Sequence, residues 1–207
     1  MVQKTEGAKR RGRPRGYEPE AALTRARAAF WDAGYAATSL DALSEATGMN
    51  RPSLYGAFGD KRALYLKALE AYRALGRAAA AEALGGEHKL REALRRAYRS
   101  ALDIYLSGES GPRGCFLIGT AATEAVGDQT VRETYAAGLH ELDDAFAARF
   151  RRAQDEGELA AAVDPQERAR LASAVLHTLS LRARAGETRA ALERTVEAGV
   201  ALLCGAG

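Results

Sequence analysis

Asn50, Arg51, Ser53 and Tyr55 stand in one short stretch, with Pro52 between them, Gly56 just after and Lys61 following. Together they offer an amide, a guanidinium, a hydroxyl, a phenol and an ammonium. These groups can read nucleic acid. An arginine donates two parallel hydrogen bonds to guanine, and an asparagine meets a base edge or a phosphate. A tyrosine hydroxyl and a lysine suit phosphate oxygens, which set position rather than sequence preference. Bond-making chemistry is not indicated. The chain has no GxSxG, GxxxxGK[ST] or HExxH pattern and its three histidines are scattered, so no enzyme class, cofactor or metal is implied.

Such groups act on DNA only if an element holds them clear of the core. The stretch TSLDALSEATGMNRPSLYGAFGDK, Thr38 to Lys61, reads as two short helices joined by a glycine-containing turn, the arrangement that presents one helix to the major groove. Ser39 (or Thr38) caps the first of the pair, whose Leu40, Leu43 and Ala46 face inward while Asp41, Ser44 and Glu45 face outward. Gly48 ends it. Asn50 caps the next helix, and Arg51 and Pro52 occupy its first turn, where proline is tolerated. Leu54 and Phe58 share the face that anchors this helix, leaving Pro52, Ser53 and Gly56 pointing away and Tyr55 on the flank. A helix over Pro19–Ala33, ended by Gly34, precedes the pair. Asp60 caps a long helix from about Lys61 to Leu84.

The whole chain favours an all-α fold. Hydrophobic residues make up 47% of its 207 residues, with only 5 prolines and long Ala/Leu/Glu/Arg runs. Net charge is +3, unevenly placed: residues 1–67 hold 12 Lys/Arg against 7 Asp/Glu, and the remaining 140 hold 18 against 20. The basic end is also the helix-turn-helix end, which suits phosphate binding, although a solvated basic tail gives the same asymmetry. Cys115 and Cys204 form no disulfide framework and no metal spacing, so reduced thiols in a cytoplasm fit best. No apolar run approaches the ~18 residues of a membrane span. Three regions follow: a basic arm over 1–17 without fixed structure when free, a helix-turn-helix domain over 18–65, and a helical domain over 66–207. About nine helices are expected. Those of the last region cover His88–Ser107, Cys115–Val126, Gln129–Glu156, Pro165–Ala185 and Thr188–Cys204.

The block from Phe30 to Leu69, FWDAGYAATSLDALSEATGMNRPSLYGAFGDKRALYLKAL, resembles the N-terminal region of TetR/AcrR-type bacterial transcriptional regulators. Phe30-x3-Gly34-Tyr35, Thr38-Ser39, Gly48 and Leu54-Tyr55-x2-Phe58-x2-Lys61 carry the likeness. The resemblance implies a homodimer that represses from a palindromic DNA operator and is released by a small-molecule effector. It also implies DNA contacts at Asn50, Arg51, Ser53, Tyr55 and Lys61 and at the helix start formed by Thr38 and Ser39. Gly56 and Ala57 depart from the large polar or aromatic residues many relatives carry there, so base reading leans on Asn50, Arg51 and Ser53, or on close backbone approach at Gly56. A helical ligand carrier or scaffold without specific DNA binding is the alternative.

Two further readings attach to the flanks. Arg11-Gly12-Arg13-Pro14-Arg15-Gly16 resembles the core of an AT-hook, whose arginines follow the narrow A·T minor groove. The other reading of the same arm is an unspecific basic tail that attracts phosphates. In the second half, polar or aromatic residues on apolar helices are the pocket candidates: Tyr72, Tyr98, Tyr105 and Phe116, then Thr120, Thr123, His140 and His177. Arg113–Glu124 resembles one branch of the family in its Arg-Gly-Cys lead-in, with Gly119 replacing an amide residue. Cys115 is open to redox or metal sensing, or to a plain core role. The last two helices are expected to form a four-helix dimer bundle, with Leu192, Val196, Val200 and Leu203 as one apolar stripe. The other reading is that these two helices simply close the monomer core.

Overall fold

Gly34, Gly48 and Gly59 cut the N-terminal part into short helices, each with positive φ. Gly48 at φ +68° is a left-handed C-cap, and it lets Met49 turn the chain into the next helix within two residues. The computed structural model describes residues 18–108 and 111–205. Helices α1 (Pro19–Ala33), α2 (Leu40–Thr47) and α3 (Arg51–Phe58) form the first unit, and α4 (Lys61–Gly85) runs out of it. α5 (Leu90–Leu106), a π-helical turn (Leu117–Ala121), α6 (Ala122–Glu124), α7 (Gln129–Asp155), α8 (Pro165–Arg184) and α9 (Arg189–Cys204) complete the chain. Among the described residues there is no strand. The all-α expectation and the helical layout both hold. The basic arm with Arg11, Arg13 and Arg15 lies outside the described residues.

Capping accounts for most of the boundaries. Ser39, Asn50, Asp60, Asp128, Asp164 and Thr188 each accept a hydrogen bond from a backbone N–H of the first turn they open. Each such cap is worth about 1 kcal/mol. α5 differs. It begins at Leu90 rather than His88, and Lys89 gives no side-chain cap. Its first N–H is met from elsewhere, by Glu158 Oε2 at 2.6 Å. Cys115–Val126 departs from the regular helix expected there. Cys115 precedes the helix, and the segment winds as a π turn before the short α6.

One continuous core runs from α1 to α9. The expected boundary at 65/66 falls inside α4, whose Tyr65 and Leu69 are buried with Phe30 and Leu43 of the first unit. α4, α5, α7 and α8 pack side by side, and α9 closes on α5 and α8. Leu192, Val196, Val200 and Leu203 are 0% exposed, so this stripe of α9 seals the chain's own core instead of facing a second copy. The outward apolar positions are others: Leu171 and Leu181 on α8 and Leu202 on α9, each more than half exposed.

Candidate nucleic-acid interface and ligand cavity

α3 is fastened by its apolar side and bare on the other. Leu54 and Phe58 are buried, while Arg51, Pro52, Ser53, Tyr55 and Gly56 are exposed. Asn50 spends its Oδ1 on Ser53 N at 2.9 Å, which leaves the NH2 end of the amide facing outward. Ser39 likewise accepts from Ala42 N at 3.0 Å and remains exposed at the start of α2. Tyr55 and Lys61 line one shallow depression with Leu40. The Lys61 ammonium lies 4.4 Å over the Tyr35 ring, so its stem is held while its charge stays at the surface.

Two residues of this surface differ from expectation. Thr38 is 2% exposed and donates its hydroxyl to Gly34 O at 2.6 Å, within 3.4 Å of Ala29 O as well. Its hydroxyl is spent on tying the α1–α2 turn to the end of α1, because Ser39 took the capping role and left Thr38 facing α1. Asp41 supplies what sequence reasoning did not foresee. One of its oxygens accepts from Arg51 Nε at 3.1 Å and from Nη2 at 2.6 Å. That hydrogen bond raises the Arg51 pKa further and aims the guanidinium along the outer face of α2 and α3.

The second candidate site is a cavity of about 760 Å³ between α4, α5 and α7, with the π turn and α8 completing its wall. Tyr72, Tyr105 and His177 line it, as does Cys115. The Tyr72 hydroxyl donates to Cys115 Sγ at 3.4 Å. Burial pushes both tyrosines and the Cys115 thiol above their ordinary ranges, so all three are neutral at pH 7. Burial also lowers the His177 pKa, against the raising effect of Asp143. Leu117 and Ile118 of the π turn reach the wall, and Gly138 makes room, since a Cβ there would lie 2.6 Å from Leu117 Cδ2. π turns often mark functional sites.

The other expected pocket residues lie elsewhere. Tyr98 is fully buried and donates to Ala172 O at 3.1 Å, bracing α5 on α8. Thr120 accepts from the Tyr65 hydroxyl at 2.8 Å and donates to Phe116 O, so its hydroxyl is spent inside the core. Phe116 packs edge-on to Tyr65 and Tyr72. Thr123 on α6 and His140 on α7 are exposed.

The cavity and the α1–α3 unit meet at Trp31. Its ring stands edge-on to Tyr72, with centroids 5.0 Å apart, and 5.5 Å from Phe116. Arg113 stacks 4.5 Å over the same indole and pairs with Asp32 of α1 at 3.6 Å. A second tie joins the N-termini of α4 and α7, where Arg62 donates to Asp128 Oδ2 at 2.5 Å and Oδ1 at 2.8 Å and to Thr130 Oγ1.

This architecture has relatives along most of its length. The pattern described as "Bacterial regulatory proteins, tetR family" matches residues 22–68, and "Tetracyclin repressor-like, C-terminal domain" matches 92–199. The HTH-type transcriptional repressor ComR of Escherichia coli (strain K12) is 31% identical over 91% of this chain and 89% of its own length. The chain belongs to the TetR family. A cysteine-substituted form of the TetR-family regulator CifR, in complex with 26-bp double-strand operator DNA, is 35% identical with a TM-score of 0.79, covering 91% of this chain and 98% of that one. The reduced form of E. coli NemR, at 19% identity and TM-score 0.77 over 89% and 94%, shares the fold. As a TetR-family protein this chain is a DNA-binding transcriptional regulator, and its homologues are regulators rather than enzymes. No described helix is long and apolar enough to cross a membrane.

Within that TetR-family frame, the residues sequence reasoning missed are Asp41, Trp31, Arg113 and Arg62. Each acts by pairing with a partner brought close only by folding. Arg113 alone carried a signal, in the Arg-Gly-Cys lead-in to the π turn.

Proposed function

We propose that two copies of this chain bind a palindromic operator in the cytoplasm as a repressor, without turning over any substrate, and release it when a small molecule fills the cavity. The observation that carries this reading is Tyr72, which is at once part of the cavity wall and the packing partner of Trp31 in α1. A ligand that displaces Tyr72 must disturb the seat of the α1–α3 unit. Asn50, Arg51 and Ser53 read bases from the start of α3, while Ser39, Tyr55 and Lys61 hold phosphates. The arm with Arg11, Arg13 and Arg15 follows an adjacent A·T minor groove. In the DNA-competent state two α3 helices sit roughly 34 Å apart, about one duplex turn. A ligand with higher affinity for another spacing lowers operator affinity by its differential affinity for the two states. The operator named with CifR and the repressor role of ComR support the same reading.

The test is selection of bound duplexes from a random pool, followed by mobility-shift titration. The expected result is a palindrome bound by two protomers, with affinity falling steeply with salt yet retaining preference over random DNA. Binding that shows no sequence preference after selection would favour the helical-carrier alternative.

A further inference from the structure

Two phenols and a thiol meet at one end of the otherwise mainly apolar cavity, beside the π turn: Tyr72, Tyr105 and Cys115. The Tyr72 hydroxyl donates to Cys115 Sγ at 3.4 Å, and Tyr105 lies beside the same sulfur. Sulfur is a weak acceptor, so two phenols share one poor partner. Tyr105 is 3% exposed, yet its hydroxyl has no oxygen or nitrogen acceptor among the described residues. A buried hydroxyl in that state is short of its usual hydrogen bond. The charges of the wall, by contrast, are matched within the protein. Arg73 and Arg77 share Glu141 and Glu70. Arg152 bonds Glu156 and the carbonyl oxygens of Gly85 and Gly86, and Arg149 is buried beside Glu158. Asp144 is exposed. Burial keeps Tyr72, Tyr105, Cys115 and His177 neutral at pH 7. A full charge brought to this end would be desolvated without a counter-ion.

We propose that the cavity takes an uncharged, mainly apolar molecule with a carbonyl oxygen, a ketone or an ester, and that this oxygen accepts the Tyr105 hydroxyl. The apolar body lies against Ala101, Leu117, Leu142 and Leu176, which line the same space. A carbonyl oxygen is a better acceptor than the thiol sulfur and supplies what Tyr105 lacks inside the protein. The assignment rests on the reading of this cavity as the effector site and adds the chemical class of the effector. A volume of about 760 Å³ is within the range of pockets that enclose small organic ligands, where a few placed polar groups fix orientation.

Calorimetry on the full chain with 2-decanone, nonanoate and 2-aminodecane, molecules of nearly one shape that differ in charge, tests this directly. The expected result is 2-decanone binding once per protomer, about tenfold or more tighter than either ion. Tyr105→Phe removes only the hydroxyl and should weaken 2-decanone binding by about three- to tenfold. Tyr98→Phe, at a buried tyrosine committed to Ala172 O, should leave it intact. The infrared carbonyl band of bound, carbon-13-labelled 2-decanone reads the hydrogen bond itself. It should lie below its position in hexane and move back toward that position in Tyr105→Phe. Thermal melts without ligand check that each variant folds, and the wild-type band carries the test if Tyr105→Phe does not. No binding of 2-decanone, equal or tighter binding of either ion, a wild-type band at the hexane position, or a band unmoved by Tyr105→Phe overturns the proposal. Tyr105-dependent binding of 2-decanone that leaves the selected operator bound supports the ligand class and overturns the effector reading.

Discussion

Under the proposed reading, Arg51 would meet DNA already held. Both Nε and Nη2 are directed at one oxygen of Asp41, so a guanine must replace an internal acceptor when the operator docks. A matched base returns two hydrogen bonds for the two that are lost, and a mismatched one does not. Asp41 therefore acts against non-cognate DNA more than against the operator. Asp41→Asn is expected to tighten binding to random duplex more than to the selected palindrome, narrowing their ratio in competition mobility shifts. Arg51→Ala is expected to lower operator affinity by about one to two orders of magnitude and relax one base pair per half-site. Thr38→Val, by contrast, removes a buried hydrogen bond and should cost about 1–2 kcal/mol in urea unfolding while leaving base preference unchanged. The outward set of α3 was legible in the sequence because caps and apolar faces are written within a few residues of each other. Thr38 was not, since either Thr38 or Ser39 can cap α2. Contact with Gly34 and Ala29 at the end of α1 decides between them.

Helix ends in this chain serve as joints between elements. Asp128 caps α7 through Thr130 N and Val131 N and also receives the Arg62 guanidinium from the first turn of α4. The Arg62 hydrogen bond, with the two backbone N–H groups, holds the Asp128 carboxyl well below the usual carboxylate range. A depressed folded-state pKa means a contribution present in full above the unfolded value of about 3.9, and lost as pH falls through the folded value. Asp128→Asn keeps a capping side chain and loses the charge. The variant should be less stable than the wild type near pH 6, and the gap between them should begin to narrow below about pH 4 and close only as pH falls through the depressed folded-state value. Unfolding midpoints across a pH series read this out. Such joints explain which boundaries the sequence could carry. Asp60, Asp128 and Asp164 announce the helices they cap, whereas α5 is opened by Glu158, which lies far along the chain. The π turn at Leu117–Ala121 has no local signature at all. It depends on Gly138 admitting Leu117 and on Gly114 passing close to Ser180 O.

At the scale of the molecule, the outer faces of α8 and α9 and the indole of Trp31 make separate demands on experiment. Leu171, Leu181 and Leu202 are exposed beside Ala174, Ala198 and Ala201, a surface of small and apolar residues that a second copy would cover. Leu181→Glu combined with Leu202→Glu should shift the protein to monomer in sedimentation equilibrium and weaken operator binding with no change at α3. The route between cavity and DNA is testable by light, because Trp31 is the sole tryptophan. It touches Tyr72 of the cavity wall on one side and Arg113 on the other, so its emission reports the junction alone. If coupling runs through this contact, any compound that releases the operator must change Trp31 emission with the same concentration dependence as release. Tyr72→Leu should then retain part of the ligand affinity by calorimetry while losing the emission change and most of the release. Coupling energies of this kind are commonly about 1–3 kcal/mol, so operator affinity in the presence of ligand should differ between wild type and variant by about 5- to 150-fold. Undiminished release by the Tyr72→Leu variant would instead assign the coupling to the Arg62–Asp128 joint.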